Sequence, residues 1–266
     1  MHGIMYSTKS SMNAQQGKME TISNNLANLN TVGYKSVKVE FQDLLTESVA
    51  RRGMPYNGER DSNISHIVGT GVRIGDIKRD NTQGSLKETG VKTDIAIDGV
   101  GFFKVNLPDG TEAYRRAGDF KIDVSGTIVD ANGNRLSIVD ENGNEINVPG
   151  SGIEFNNDDI VVKQDGTVIM NIDDKESVEM GRIPIYDFVG SQALVSIGRN
   201  LYVPGENVQV TESKDFDLLS GFQEISNVSV EDEFTDMMLT QRAYQINAAG
   251  LKTADEMWKL VNELRR

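Results

Sequence analysis

A seven-residue apolar spacing that runs out into an asparagine-rich, glycine-closed exit constrains this chain more than any other stretch. Met5, Met12, Met19 and Leu26 recur every seven positions, and Ile22 and Leu29 each follow one of them by three. That spacing lays one apolar seam along a helix and predicts a helix that faces other helices. The exit reads Asn24-Asn25-Leu26-Ala27-Asn28-Leu29-Asn30-Thr31-Val32-Gly33-Tyr34-Lys35. Short amide side chains compete for backbone groups and tolerate left-handed geometry, so Asn28 and Asn30 end the helix and Gly33 lets the chain turn away.

The helical period returns after Ser226-Asn227-Val228. Val230, Phe234, Met237, Tyr244, Ala248, Leu251 and Trp258 fall on one line, and Leu239, Ala243, Ile246, Met257, Leu260 and Leu264 on a second. A helix apolar over so wide an arc has neighbours on several sides. Ser229 with Asp232 reads as its cap, Glu231 and Glu233 suit its positive end, and Arg265 and Arg266 suit the other. Gly250 interrupts it at about 1 kcal/mol relative to Ala, so it either permits a close helix contact or weakens the helix. The residues expected to carry assembly are Met5, Met12, Met19, Ile22, Leu26 and Leu29, with Phe234, Met237, Tyr244, Leu251, Met257, Trp258, Val261 and Leu264. Ordering such a helix costs roughly 1–2 kcal/mol per residue, and each seam side chain returns about 1.5–3 kcal/mol on burial, so one helix alone is marginal. The two ends are expected to be disordered in the monomer and to fold as subunits stack.

Between the ends the pattern is β. After a short extended piece at Val37, Val39 and Phe41, residues 46–75 show no sustained period and read as a linker or extended arm. Gly69-Thr70-Gly71-Val72-Arg73-Ile74-Gly75 lacks the spacing of a dinucleotide-binding loop and no Gly-Lys-Ser/Thr follows. Ile95 and Ile97, then Phe103 and Val105, alternate on either side of a Gly-Val-Gly bend, with Phe102 and Phe103 on opposite faces. Asp109-Gly110, Ser125-Gly126, Asn132-Gly133, Asn142-Gly143 and Asp165-Gly166 then punctuate a ladder of antiparallel hairpins. One more strand is expected over Gly181 to Phe188. The repeat Asp130-Ala131-Asn132-Gly133-Asn134 and Asp140-Glu141-Asn142-Gly143-Asn144 crowds oxygen ligands as a calcium loop does, but at hairpin length and with its Gly in the wrong place, so two turns explain it.

Taken together, Asn24, Asn25, Leu26, Ala27, Asn28, Gly33, Tyr34 and Lys35 at one end, with Gln241, Arg242, Ala243 and Tyr244 at the other, resemble the two terminal signatures of the bacterial flagellar rod and hook proteins, the axial family. Thr82-Gln83-Gly84-Ser85-Leu86, the run Asp94 to Val105 and the run Tyr114 to Phe120 resemble that family's β motifs. The resemblance implies an α+β, mainly β fold: terminal helices pairing as a coiled coil, an irregular connector and a central antiparallel β domain. The expected divisions are 1–30, 31–80, 81–226 and 227–266. It further implies a structural subunit of the basal-body rod, of distal-rod type, that polymerises into the helical drive shaft carrying motor torque to the hook. A proximal-rod subunit with the same β domain, or a short hook-type subunit, is the alternative. Partners implied are copies of itself, other rod and hook proteins, ring proteins and the flagellar type III export apparatus. The place implied is the basal body in the cell envelope, outside the cytoplasmic membrane. Gln223, where an apolar residue is expected, and Gly250 depart from the family pattern.

Composition narrows the rest. A formal charge of −13 disfavours nucleic acid and anionic membrane surfaces, and no apolar run approaches a membrane span. The first residues lack a cleavable secretory signal. With 2 His and no Cys, hydrolytic triads and histidine-rich metal sites have little to form from, so no enzyme and no cofactor is expected. His66, between Ile64 and Ile67, reads as an interface or partly buried residue. A soluble β-rich adhesin or carbohydrate-binding module with helical ends is the remaining rival. Substituting Gly33 or Leu26 is expected to harm assembly and motility more than the stability of the isolated β domain.

Overall fold

The structure, a computed structural model, describes residues 2–44, 46–48, 67–123, 126–140, 144–146, 160–173, 176–188, 194–205 and 208–264. The chain divides into two compact units. One comprises Met1–Leu26, Val37–Lys78 and Ser229–Arg266; the other comprises Ala27–Ser36 and Arg79–Val228.

The first unit holds the two helices, α1 (His2–Ala27) and α2 (Val230–Leu264). The Asp232 N–H bonds the Ser229 hydroxyl at 3.4 Å and the Glu233 N–H bonds the Ser229 carbonyl at 3.0 Å, so the expected cap is in place. Arg265 and Arg266 lie outside the described residues. The stretch expected to be irregular is partly ordered: β1 (Val37–Asp43) pairs with β4 (Val72–Arg79), and β2 (Thr46–Ser48) pairs antiparallel with β3 (Ile67–Gly69). Three-residue strands are too short to display a period, which is why the sequence pattern missed them. Residues 49–66, with His66, lie outside the described residues. Gly17 answers to β4: a Cβ there would stand 2.3 Å from Ile74 Cδ1, so a helix-weakening glycine gives the strand access to α1.

The second unit is β throughout. Its strands are β5 (Leu86–Glu88), β6 (Ile95–Gly99), β7 (Phe102–Asn106), β8 (Glu112–Arg115), β9 (Lys121–Ile122), β10 (Ile128–Val129), β11 (Arg135–Leu136), β12 (Ile160–Val162), β13 (Thr167–Asp173), β14 (Glu176–Arg182), β15 (Ile185–Phe188), β16 (Leu194–Gly198), β17 (Leu201–Pro204), β18 (Val210–Glu212), β19 (Phe216–Ser220) and β20 (Phe222–Glu224). Among the described residues the largest sheet has nine strands in the order β16-β17-β8-β7-β11-β10-β9, with β15 joining β7 and β18 joining β15. The hairpins β7–β8, β10–β11 and β12–β13 turn at the expected Asp109-Gly110, Asn132-Gly133 and Asp165-Gly166. The Gly-Val-Gly bend does not make a hairpin: β6 pairs with β19 while β7 enters the large sheet. The strand expected over Gly181 to Phe188 is two, because Pro184 has no N–H to extend the ladder and the chain changes partner there, from β13 to β7 and β18.

Phe102 and Phe103 do serve opposite faces. Phe103 packs edge-on against Phe120 at 5.3 Å between centroids, in the main core with Ile95, Ile97, Val105 and Ile185. Phe102 joins a second cluster with Tyr114, Phe188 and Tyr202. The edge-to-face geometry suits the ring quadrupoles. Charge is divided unevenly: the helical unit carries 13 basic and 14 acidic residues, the β unit 14 basic and 26 acidic.

Candidate assembly site

The signature that closes α1 is held from both of its sides. In the helical unit Asn25 is buried and acts on the backbone of Val37 as a strand partner would, its Nδ2 donating to the carbonyl at 2.9 Å and its Oδ1 accepting the N–H at 3.0 Å. The second Nδ2 hydrogen goes to Glu233 Oε1 at 2.8 Å. Burial raises the Glu233 carboxyl above its ordinary range, and the Asn25 bond opposes this. A side chain of matching length that donated nothing would leave a strand end and a half-buried acid unsatisfied.

In the β unit the helix stop is a turn in which the Thr31 N–H bonds the Asn28 carbonyl at 3.1 Å and its hydroxyl the Asn28 Oδ1 at 3.2 Å. Gly33 has φ +66°, and a Cβ there would stand 2.5 Å from the Ala117 nitrogen. Its N–H bonds the Glu224 carbonyl at 2.8 Å. Lys35 and Glu224 are each 1% exposed. The Lys35 ammonium meets Glu224 Oε1 at 2.6 Å and the Thr82 carbonyl at 2.7 Å. Glu224 Oε1 also takes the Gly84 N–H at 2.7 Å, and Oε2 takes the Nε of buried Arg116. Arg116 spends its other donors on the carbonyls of Ile97, Gly99 and Gly101. Burial holds the Lys35 ammonium below the ordinary lysine range, against the pull of Glu224. Asn227 completes the lock, accepting the Ser36 N–H at 2.7 Å and donating to the Asp80 carbonyl at 2.9 Å. Arg116 and Asn227 lie in runs that stand out in the sequence; their joint role with Glu224 does not, because the contacts span 189 and 108 residues.

On α2 the covered face differs in part from the line expected. On α1 Ile22 is buried and Met5, Met12, Met19 and Leu26 are half-buried, as is Leu29 just beyond it. On α2 the covered stripe is Val230, Glu233, Met237, Thr240, Tyr244, Asn247, Leu251, Ala254 and Trp258, stepping strictly by three and four. Phe234 is therefore not on it, nor are Met257, Val261 and Leu264. Polar members replace them and make the cross-helix bonds: Asn247 Nδ2 to Ser11 Oγ at 3.2 Å, and Glu233 to Asn25. Lys18 pairs with Asp236 at 3.2 Å. Partners descend along α2 as they ascend along α1, so the helices run antiparallel. Gln241 and Arg242 are exposed, and Ala243 and Tyr244 half-buried.

A second stripe, Leu239, Ala243, Ile246, Gly250, Thr253, Met257, Leu260 and Leu264, also steps by four and three. It runs one residue behind the first, about 100° around the helix at 3.6 residues per turn. Leu239, Ile246 and Leu264 are 62%, 70% and 88% exposed. Nothing in the described chain lies within 4 Å of a Cβ placed on Gly250.

Asp130 disposes of calcium at the first repeat. Its carboxylate accepts the Asn132 N–H, the Asn134 N–H and the Asn134 Nδ2 at 2.7, 2.9 and 2.8 Å, and pairs with Arg115. Burial would raise that carboxyl, but the Asn134 donors, with Arg115, hold it below the usual range. Among the described residues no group of His, Cys, Asp or Glu is arranged to hold a metal.

Known proteins match this chain along most of its length. Residues 5–35 match the family of flagella basal body rod proteins, 96–170 the flagellar hook protein FlgE/F/G D1 domain, and 219–264 the flagellar basal body rod FlgEFG protein C-terminal family. The flagellar basal-body rod protein FlgG of Borreliella burgdorferi is 35% identical over 273 residues, covering 100% of both chains. That of Bacillus subtilis is 34% identical over 269 residues, 98% of each. The flagellar hook protein FlgE of Treponema pallidum is 41% identical over 133 residues, which is 50% of this chain and 28% of that one.

Proposed function

The chain belongs to the family of flagellar basal-body rod proteins, a structural subunit of that rod, and from this membership we propose how it works. Copies polymerise into a helical shaft of distal-rod type that carries motor torque to the hook. The terminal helices, 1–30 and 227–266, pack as a coiled-coil core, and the β unit forms the outer layer. Other rod and hook proteins continue the shaft at its ends, and ring proteins surround it. The subunit reaches the envelope through the flagellar type III apparatus. It catalyses nothing, in keeping with 2 His and no Cys. Its relatives are named for the basal-body rod over nearly their whole length, whereas the hook relative matches over 28% of its own, which favours rod over hook.

One observation carries the reading: α2 has a covered stripe and, on a separate face about 100° away, a bare apolar stripe, both at heptad spacing. A solvated helix has no use for exposed Leu239, Ile246, Leu260 and Leu264 in register, while a helix between neighbours does. Burying one such side chain is worth about 1.5–3 kcal/mol. Leu239→Glu with Ile246→Glu should leave the thermal unfolding of the dilute chain unchanged and abolish sedimentable assembly at high concentration. Assembly equal to wild type in that double variant would refute the packing, and a wild-type chain that stays monomeric at all concentrations would favour the β-rich binding module.

A further inference from the structure

A polar cleft in the β unit, about 350 Å³, has no part in the fold just described. It is walled by Asn28 and Thr31 of the helix stop, by Arg115 and Asp119, by Asn132, and by Arg199 and Asn200. Two independent features point to a ligand. Arg115 is 4% exposed and pairs with Asp130 and Asp119 through its terminal nitrogens, yet its buried Nε has no hydrogen-bond partner among the described residues. A buried donor without an acceptor is costly and rare.

The second feature is the turn joining β16 to β17. Arg199 and Asn200 are both left-handed, at φ +54° and +58°, and are the two non-glycine residues of positive φ among the described residues. Such a two-residue turn favours Asn-Gly, in that order, because both positions need positive φ. Asn200 is at home, donating to the Val32 carbonyl at 3.2 Å. Arg199 is strained, exposed and without an ion-pair partner among the described residues. Strain kept at a cleft edge marks a residue retained for contact rather than for folding.

We propose that this cleft receives a carboxylate side chain from a second copy of the chain, docked on the Arg199 guanidinium with Arg115 as a further donor. The occupant follows from charge: with 26 acidic against 14 basic residues, the β unit of another copy presents mainly carboxylates. The proposal rests on the rod reading and adds a specific contact between outer units.

The test uses the full chain, with thermal melting and sedimentation velocity across concentration. Arg199→Asn supplies the residue the turn prefers, so its melting temperature should rise by about 2–4 °C. Its self-association constant should fall roughly five- to tenfold. Arg199→Lys, which keeps the charge, should retain most of the association. An Arg199→Asn chain that associates as wild type, or one that loses association and melting temperature together, overturns the proposal. If Leu239→Glu abolishes association while Arg199→Asn leaves it untouched, the cleft alone is wrong. If wild type stays monomeric throughout, the rod reading falls and takes the cleft with it.

Discussion

Replacing Glu224 by Gln removes one negative charge from between two buried cations while keeping the shape of the side chain. Lys35 sits 2.6 Å from the carboxylate, Arg116 bonds its other oxygen, and the Gly84 N–H adds a third donor at 2.7 Å. At roughly 4 Å between charge centres and an effective dielectric near 20, each pair is worth about 4 kcal/mol before desolvation. Leaving buried charge without its partner costs about 3–5 kcal/mol net. For a protein of this size that lowers the melting temperature by roughly 6–20 °C. Lys35→Met should be milder, because it leaves Arg116 and Glu224 as a balanced pair with Arg116 still held by three carbonyls. Calorimetry of wild type, both single variants and the double variant gives the comparison directly. The double variant should be less destabilised than the sum of the singles, since Lys35→Met removes one of the two cations that Glu224→Gln strands. A Glu224→Gln chain within about 1 kcal/mol of wild type, or a Lys35→Met chain as unstable as Glu224→Gln, would refute the claim that this carboxylate anchors the buried cluster of Lys35 and Arg116.

Gly33→Ala combines a left-handed backbone with overlap against the Ala117 backbone and should cost about 2–4 kcal/mol of β-unit stability in urea unfolding; an unchanged midpoint would contradict it. Gly33 packs within the β unit, so a loss of β-unit stability is expected beside the larger effect on assembly that the sequence suggests. Burial holds Lys35 below 10.5, so between its folded value and 10.5 the unfolded chain binds more protons and stability should rise with pH. Urea titrations from pH 8 upward should show that rise in wild type and lose it in Lys35→Met, before Tyr202, pushed up by burial, reverses the trend above pH 10. Circular dichroism of dilute chain should show less helix than assembled chain if the ends fold on stacking; full helicity at high dilution would contradict coupled folding.

Some of this was legible from spacing alone. The helix stop at Asn28, the cap at Ser229 and the Gly-closed hairpins all rest on local chemistry, and local chemistry is written in consecutive letters. The β16–β17 hairpin was hidden because Arg199-Asn200 carries no glycine. The covered stripe of α2 was legible at Val230, Met237, Tyr244, Leu251 and Trp258 but not at its polar members, because hydrophobic counting chose Phe234 over Glu233 and the seam is laced with Glu233, Thr240 and Asn247. Polar residues in a helix seam trade stability for register, so a count of apolar letters passes over them. The lock of Lys35, Arg116 and Glu224 could not be read at all, since nothing local announces a bond across 189 residues.

The bare stripe of α2 has a consequence for the finished shaft. On the proposed packing each copy hides its neighbour's leucines and isoleucines, so greasy surface belongs to the ends of the polymer and does not grow with its length. Cutting the shaft anywhere bares the same new surface, whether it is long or short. Resistance to shear is then a property of every cross-section, and a twisting load meets the same seam at each step along the axis.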